Sequence, residues 1–508
     1  MTRSRWADAS LWVIAALFVA MLPLAWVSRW LAGFSNWQTM LALPLAAGAW
    51  WLTRQQAWKT LTFSPAARRA FFAGAWVWLV AIAVSKWAAF EVGGVDFSIF
   101  DWMLHGIAHG RFGWSPIYDV NHFGVHPSWV LLTLVPVHLL SESPVPLLVA
   151  GASLYAAGAW VLFRFAAPKV GEPLAFLLAL AFVTHPLDTG NLIFRPESFY
   201  PVLLLAFVWA WESGRAVWMG LCAVAVLCVK EDAAVVLGAF ALGEVVFAAD
   251  RRRAGAALLV GSVVVLAANL LWIQPALLSQ TGVSKPQYLT FWSIYGDTPR
   301  SIAAGMVMHP LVVLKQLVTS GFWLFLAPVL FLPLWSRRAA FGIAPTAFIL
   351  GSASYEMMHK WGGYYAAPIV PFLFYGLVQA AGDERLKRVL RGWQVMAVAL
   401  AAIVAPLIKG GIAVAKPQPA RLEVMSAVRA RGIEGLCAQV ILFPHLGHPN
   451  GLRPWFDPAC QQSGAVLIAA PGLDPFPFTR QQVQQVVDDA RVAGKAEELG
   501  EGVVLVRW

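Results

Sequence analysis

Apolar residues run in long blocks along this chain, separated by short polar breaks. A membrane-crossing helix needs about 20 consecutive, mainly apolar residues. Blocks of that length, or close to it, fall at 10–31, 37–53, 71–90, 145–166, 173–190, 199–214, 216–229, 233–249, 255–273, 322–336, 339–355, 365–382 and 393–413. The pattern predicts an all-α polytopic membrane protein of about thirteen spans. Block 128–140 is too short to cross and carries Pro136 and His138, so it reads as a re-entrant or interfacial helix. After Pro417 the pattern changes to turn signals (HPNG, PGLDPF), short β-like runs (QVILF, AVLIAA, GVVLVRW) and one helical stretch, RQQVQQVVDDARVAG. That pattern predicts a small α/β domain. The expected division is a transmembrane domain over 1–413, including large loops 91–143 and 274–321, and a second domain over 414–508.

Composition agrees. Of 508 residues, 59% are hydrophobic and 13% charged, half the charge of an ordinary soluble domain. A soluble enzyme, a disordered chain and a disulfide scaffold are excluded. The net charge of +10 does not point to nucleic acid, because the basic residues sit in short loops between apolar blocks. Arg54, Lys59, Arg68 and Arg69 share one loop, and Arg164 and Lys169 another. Arg251, Arg252 and Arg253 form a third cluster, Arg337 and Arg338 a fourth, and Arg385, Lys387, Arg388 and Arg391 a fifth. With these spans all five fall on the side of Arg3 and Arg5. Positive loops mark the cytoplasmic face, so the N-terminus is expected inside, on a retained first helix, and the C-terminal domain outside. Cys222 and Cys228 lie in an apolar run and read as packing residues. Cys437 and Cys460 could form a disulfide if their domain is outside the cytoplasm.

All ten His residues then fall on the outer side or at its membrane edge. In the first outer loop, Asp96 stands at the start of a helical pattern, where it reads as an N-cap. Asp101, His105 and His109 recur at four-residue steps, as the solvated face of an interfacial helix would. His122 and His126 have a metal-like interval, but Gly124 and Pro127 interrupt the helix that would present them. The second outer loop holds Asp188, Arg195 and Glu197 close to the bilayer. Lys230, Glu231 and Asp232 are three consecutive ionisable residues at a span boundary, a costly position that is functional by default. Glu356, His359, Lys360 and Tyr364 mix charge with interfacial aromatics. Together these put carboxylates, cations and imidazoles at the outer ends of different spans. A carboxylate can deprotonate an acceptor hydroxyl, and Lys or Arg can hold a phosphate leaving group.

At this point the chain resembles the GT-C superfamily of membrane glycosyltransferases, and within it a family of bacterial membrane proteins of unassigned function. The matching stretches are DFSIFDWMLHGIAHGRF, HFGVHPSW, FRPESFYPVLLL, VKEDAAVVLG, MHPLVVLKQL, FLAPVLFLPLW, HKWGGYYAAPIVPFLFYG and GVVLVRW. The resemblance implies transfer of a sugar from a polyprenyl-phosphate-linked donor to a glycolipid, glycan or protein acceptor at the outer face of a bacterial cytoplasmic membrane. It implies Asp96 as general base or metal-orienting carboxylate, with Asp101 and Glu197 as further catalytic acids. Lys230 would hold the donor phosphate, with Glu231, Arg195, His126, His359, Lys360 and Tyr364 lining the substrate site. A divalent cation (Mg or Mn) would draw on Asp96, Glu197 and His122. Arg195 stands where the family's pattern has His, and Arg cannot ligate a metal. The alternative is a transporter or flippase, but no inverted repeat appears.

Overall fold

The computed structural model describes residues 61–141, 143–184, 193–279, 287–320, 326, 329, 331–359, 364–384, 386 and 415–508. Spans expected at 10–31, 37–53 and 393–413 lie outside these. The described chain is mostly helical, with a small sheet in its C-terminal part.

Pro65–Ala88 starts where Ser64 accepts a hydrogen bond from the amide of Ala67 and Pro65 fills the first helical position, where its missing amide costs nothing. It packs on Val145–Val170, which packs in turn on Glu172–Thr184 and Tyr200–Glu212. Phe72 meets Trp160 edge-on in the first of these contacts, and Phe63 and Phe71 set their rings edge-to-face on Phe176 of Glu172–Thr184. Phe207, Phe240 and Phe372 join Tyr200–Glu212 to Asp232–Phe247 and Ile369–Gly382. Among the described residues, three helices are long and apolar enough to cross a bilayer by themselves: Pro65–Ala88, Val145–Val170 and a continuous Ala249–Leu278. Two expected spans are shorter in the described residues, Ala216–Leu227 and Ile369–Gly382.

Loop 274–321, expected to be polar connection, instead holds two helices. Pro299–Met308 and Pro310–Thr319 meet at a bend of 93°. Each half is too short to register as a span, and Pro310 removes the amide that would carry the helix through His309.

The basic loops do gather. Arg68 pairs with Glu172 at 3.3 Å and Lys169 with Glu212 at 3.3 Å. Arg338 donates to Glu212 at 2.6 Å and forks onto Glu244. Trp211 also donates to Glu244, Tyr375 to Glu212, and Arg251 caps the carbonyls of Trp211 and Glu212. Four of the five basic clusters therefore sit at one end of the bundle, and the fifth lies outside the described residues. The ionisable residues of the loops sit at the other end.

There the C-terminal part is seated. Strands β1 (Trp114–Ser115) and β2 (Val120–Asn121) form a small hairpin in the first loop. The C-terminal sheet has β3 (Cys437–Ala438), β4 (Arg453–Pro454), β5 (Val466–Ala469), β6 (Ala496–Gly500) and β7 (Val503–Arg507), in the order β4-β3-β5-β7-β6. Arg480–Val492 packs on it, capped by Thr479. Cys437 and Cys460 are disulfide-bonded. Two of the expected β-runs become β5 and β7. QVILF does not: after β3 the chain turns into a short helical segment, Val440–Leu446, that packs on the first loop. Apolar residues of this part, such as Met425, Val428, Ile441 and Phe443, belong to the same core as the long helices.

Candidate active site

Asp96 is not an N-cap. The helix Gly94–Ala108 is preceded by Gly93, and Asp96 lies in its first turn without a capping bond. Its Oδ2 instead accepts from Arg195 Nη2 at 2.8 Å. Phe194 is buried, which anchors the strand-like approach, and Pro196–Phe199 begins with Pro, so Arg195 is held extended between them. The Arg195 guanidinium lies 3.8 Å from the ring centre of Tyr364. Tyr364 donates to Tyr365 at 2.7 Å, and Lys230 Nζ stands 5.7 Å from the Tyr365 ring. Lys230 donates to Glu197 at 2.9 Å. Four separate segments thus form one line: Asp96, Arg195, Tyr364, Tyr365, Lys230 and Glu197.

Lys230 donates through its ammonium to Glu197 rather than to its sequence neighbours Glu231 and Asp232. Its side chain is 8% exposed and that of Glu197 5%. Burial alone would lower the Lys230 pKa, but Glu197, Glu231 and Asp232 outweigh it and raise the value, so the ammonium stays charged. Burial would raise Glu197, but Lys230 outweighs it and holds the carboxyl below its usual range. Arg195 follows the same logic, with Asp96 overriding burial. Glu231 turns to His126, at 2.8 Å from Nδ1, and Asp232 accepts from Tyr200. His122 is buried beside His126, with ring centres 5.6 Å apart, and neither of its nitrogens has a hydrogen-bond partner. Arg195 Nε, Glu197 Oε2 and Glu231 Oε2 are also buried without partners. Unsatisfied buried polar atoms are costly, and these belong to the pairs that Arg195 and Lys230 make or to their near neighbours.

The structure gathers Asp96, Arg195, Glu197, Lys230, Glu231, His126, His122 and Tyr364. His359 is turned away, with Nε2 at 2.9 Å from the carbonyl oxygen of Ala353. Lys360 and Asp188 lie outside the described residues. Asp101 is a correction of a different kind. It is 3% exposed rather than solvated, and it is held by His138 and His448 instead of lining this site. A polar face repeating at four-residue steps looks the same whether water or another domain covers it. The metal reading does not fit the donors present: Asp96 and Glu197 each face a cation, and no group of three or more His, Cys, Asp or Glu among the described residues could hold a metal ion. Sequence reasoning passed over Tyr118, and took Tyr365 only as part of the polar and aromatic run that holds Tyr364. Tyr118 is close enough to Asp96 for that carboxylate, after burial, to raise its phenol. Their only signal was an interfacial aromatic excess that membrane proteins show anyway.

Residues 86–411 match a family described as "Predicted membrane protein (DUF2079)". No curated protein matches. Among solved structures, the chain is similar to the crystal structure of ArnT from Cupriavidus metallidurans bound to undecaprenyl phosphate. The two are 11% identical with a TM-score of 0.51, over 87% of this chain and 98% of that one. The apo crystal structure of the same ArnT gives 13% identity and a TM-score of 0.47, over 85% and 98%. The likeness to the lipid-bound structure shows a shared fold.

Proposed function

This chain belongs to the DUF2079 family of predicted membrane proteins, and from that premise we propose that it is a GT-C-type glycosyltransferase using a polyprenyl-phosphate-linked sugar. The observation that carries the reading is the pairing of Asp96 with Arg195, in line with a second buried cation, Lys230. The ArnT fold supports it, as does the undecaprenyl phosphate bound to that protein.

In this reading the donor's phosphate lies between Arg195 and Lys230. Arg195 has five donors in a planar fork, of which Nη2 meets Asp96 and Nε is unpartnered. Lys230 has three donors and one meets Glu197. A phosphate anion competes with Asp96 for the guanidinium and frees the carboxylate as the base. Asp96 then takes the proton of the acceptor hydroxyl. The acceptor oxygen bonds the anomeric carbon as the carbon–oxygen bond to phosphate breaks, and polyprenyl phosphate leaves with the electron pair, stabilised by the two cations. Asp96 suits this role because its side chain is 35% exposed against 11% for Arg195, so it is the open member of the pair. No step here runs through a divalent cation. The membrane orientation expected from the basic loops puts this chemistry on the outer face of a bacterial cytoplasmic membrane, with the C-terminal part outside.

The test is release of polyprenyl phosphate from a panel of polyprenyl-phosphate monosaccharides by the full chain in nanodiscs. Wild type releases it in the presence of an acceptor, and Asp96→Asn does not. Transport of such a lipid across the bilayer without cleavage would favour the flippase reading instead.

A further inference from the structure

The helix that carries Asp96 has a second polar cluster for which the transfer chemistry has no use. Asp101, buried, accepts from His448 Nε2 at 3.0 Å through Oδ2, while its Oδ1 stands 3.2 Å from His138 Nε2. Asp101 belongs to Gly94–Ala108, His138 to Val135–Leu140, and His448 to the C-terminal part. Three elements therefore meet on one carboxylate. His448 stacks on His105 with ring centres 3.9 Å apart and planes 6° from parallel, and His105 lies 4.1 Å from His109. Trp102 meets His448 edge-on at 4.8 Å. The titratable groups facing this cluster are Asp101, His105 and His109 from the helix, His138 from the interfacial segment and His448 from the C-terminal part.

The C-terminal part grips the same helix at its start. A Cβ on Gly94 would lie 2.5 Å from the carbonyl oxygen of Val440 and 2.6 Å from the amide nitrogen of Ile441. Backbone there rests directly on backbone, which only Gly permits. Asp96 lies between the two grips, two residues from one and five from the other. A buried carboxylate is tolerated only while its partners stay in place. Lifting the C-terminal part would strip Asp101 of His448, so its position and that of the helix are coupled.

We propose that His448 is a positioning residue: from the C-terminal part it holds Asp101, and through Asp101 it holds the helix that sets Asp96 against Arg195. The consequence for turnover rests on the glycosyl-transfer reading, while the clamp itself rests on geometry alone. Acid opens the clamp. Burial would raise Asp101, but His138 and His448 outweigh it and hold the carboxyl at about 2, so it stays charged. His105 is lowered to about 3, first by burial and then by His448, His109 and His138. The docked state thus keeps His105 neutral, whereas an undocked His105 titrates near its ordinary value of about 6.5. Docking is fully stable above about pH 6.5 and weakens as pH falls toward the docked value.

The experiment is hydrogen–deuterium exchange over residues 94–108 in the full chain in nanodiscs, at about pH 7.5 and about pH 5, corrected for intrinsic rates. Wild type, His448→Ala and His448→Gln are compared, with undecaprenyl phosphate affinity and donor turnover measured alongside. Wild type exchanges slowly at the higher pH and faster in acid. His448→Ala exchanges about tenfold faster or more at the higher pH, the loss expected for a hydrogen bond to a charged group, and responds little to acid. His448→Gln keeps an N–H donor and restores much of the protection, without the full acid response. Turnover falls in His448→Ala while lipid-phosphate affinity holds. If wild type neither binds the lipid phosphate nor turns over donor, the transfer reading fails and exchange alone judges the clamp. Exchange in His448→Ala equal to wild type at both pH values overturns it.

Discussion

At the scale of single residues, burial decides which charges matter. Lys230, Glu231 and Asp232 are consecutive in sequence, yet they turn to Glu197, His126 and Tyr200 respectively. An exposed ion pair between sequence neighbours would be worth about 0–1 kcal/mol. The Lys230–Glu197 pair is instead buried, so Lys230→Ala strands a carboxylate and should destabilise the chain by roughly 3–5 kcal/mol. Combining Lys230→Met with Glu197→Leu should recover most of that loss. Thermal and denaturant unfolding of both variants checks this, and a stable Lys230→Ala would show that the pair is wet. Asp96 should behave oppositely. Asp96→Asn retains shape and an acceptor for Arg195, so stability should hold while turnover falls about a hundredfold or more, as for a lost general base. The separation is visible by measuring unfolding and polyprenyl phosphate release on the same preparation. The residue types of the site were legible in the sequence, because ionisable groups at span ends are expensive. Their pairing was not, since a partner 33 residues away in the chain, as Glu197 is from Lys230, leaves no local trace.

At the scale of elements, most of the long apolar blocks that fall on described residues lie on helices, and β5, β7 and the Arg480–Val492 helix lie where the sequence pattern puts them. The failures have separate causes. QVILF has strand composition, but its backbone is taken by contact with Gly94, so it closes into a turn-like helix instead of pairing. Pro299–Met308 and Pro310–Thr319 escaped because Pro and His divide an apolar stretch that is continuous in space only around a sharp bend. Gly94 is the element-scale test. Gly94→Ala places a methyl against the backbone at Val440–Ile441 and should cost about 1–3 kcal/mol through overpacking. Limited proteolysis should then cut between the long helices and the C-terminal part faster than in wild type. Equal cleavage rates would mean that the contact is slack.

At the scale of the whole molecule, charge divides between two ends. At one, Arg338 serves both Glu212 and Glu244, with Lys169, Arg251, Trp211 and Tyr375 completing a network that ties six helices. Arg338→Met leaves Glu244, 2% exposed, without its guanidinium, and should destabilise the bundle by about 3 kcal/mol or more. Its undecaprenyl phosphate affinity should be unchanged where it remains folded, because the network is remote from the other end. That other end brings Arg195 and Lys230 into one line with Asp96, beneath a C-terminal part fastened by Gly94 and His448. The one-sided clustering of basic loops was readable from the chain; the seating of a soluble-looking domain on the helix that carries Asp96 was not, because its contacts are single residues spread over hundreds of positions. The most direct measurement is the affinity of undecaprenyl phosphate for the full chain in nanodiscs, wild type against Arg195→Met. Wild type should bind, and the variant should bind at least about tenfold more weakly, as expected on losing a charge-assisted phosphate contact. Equal affinity in the two proteins, or no binding by wild type, would contradict a lipid-phosphate site built on Arg195.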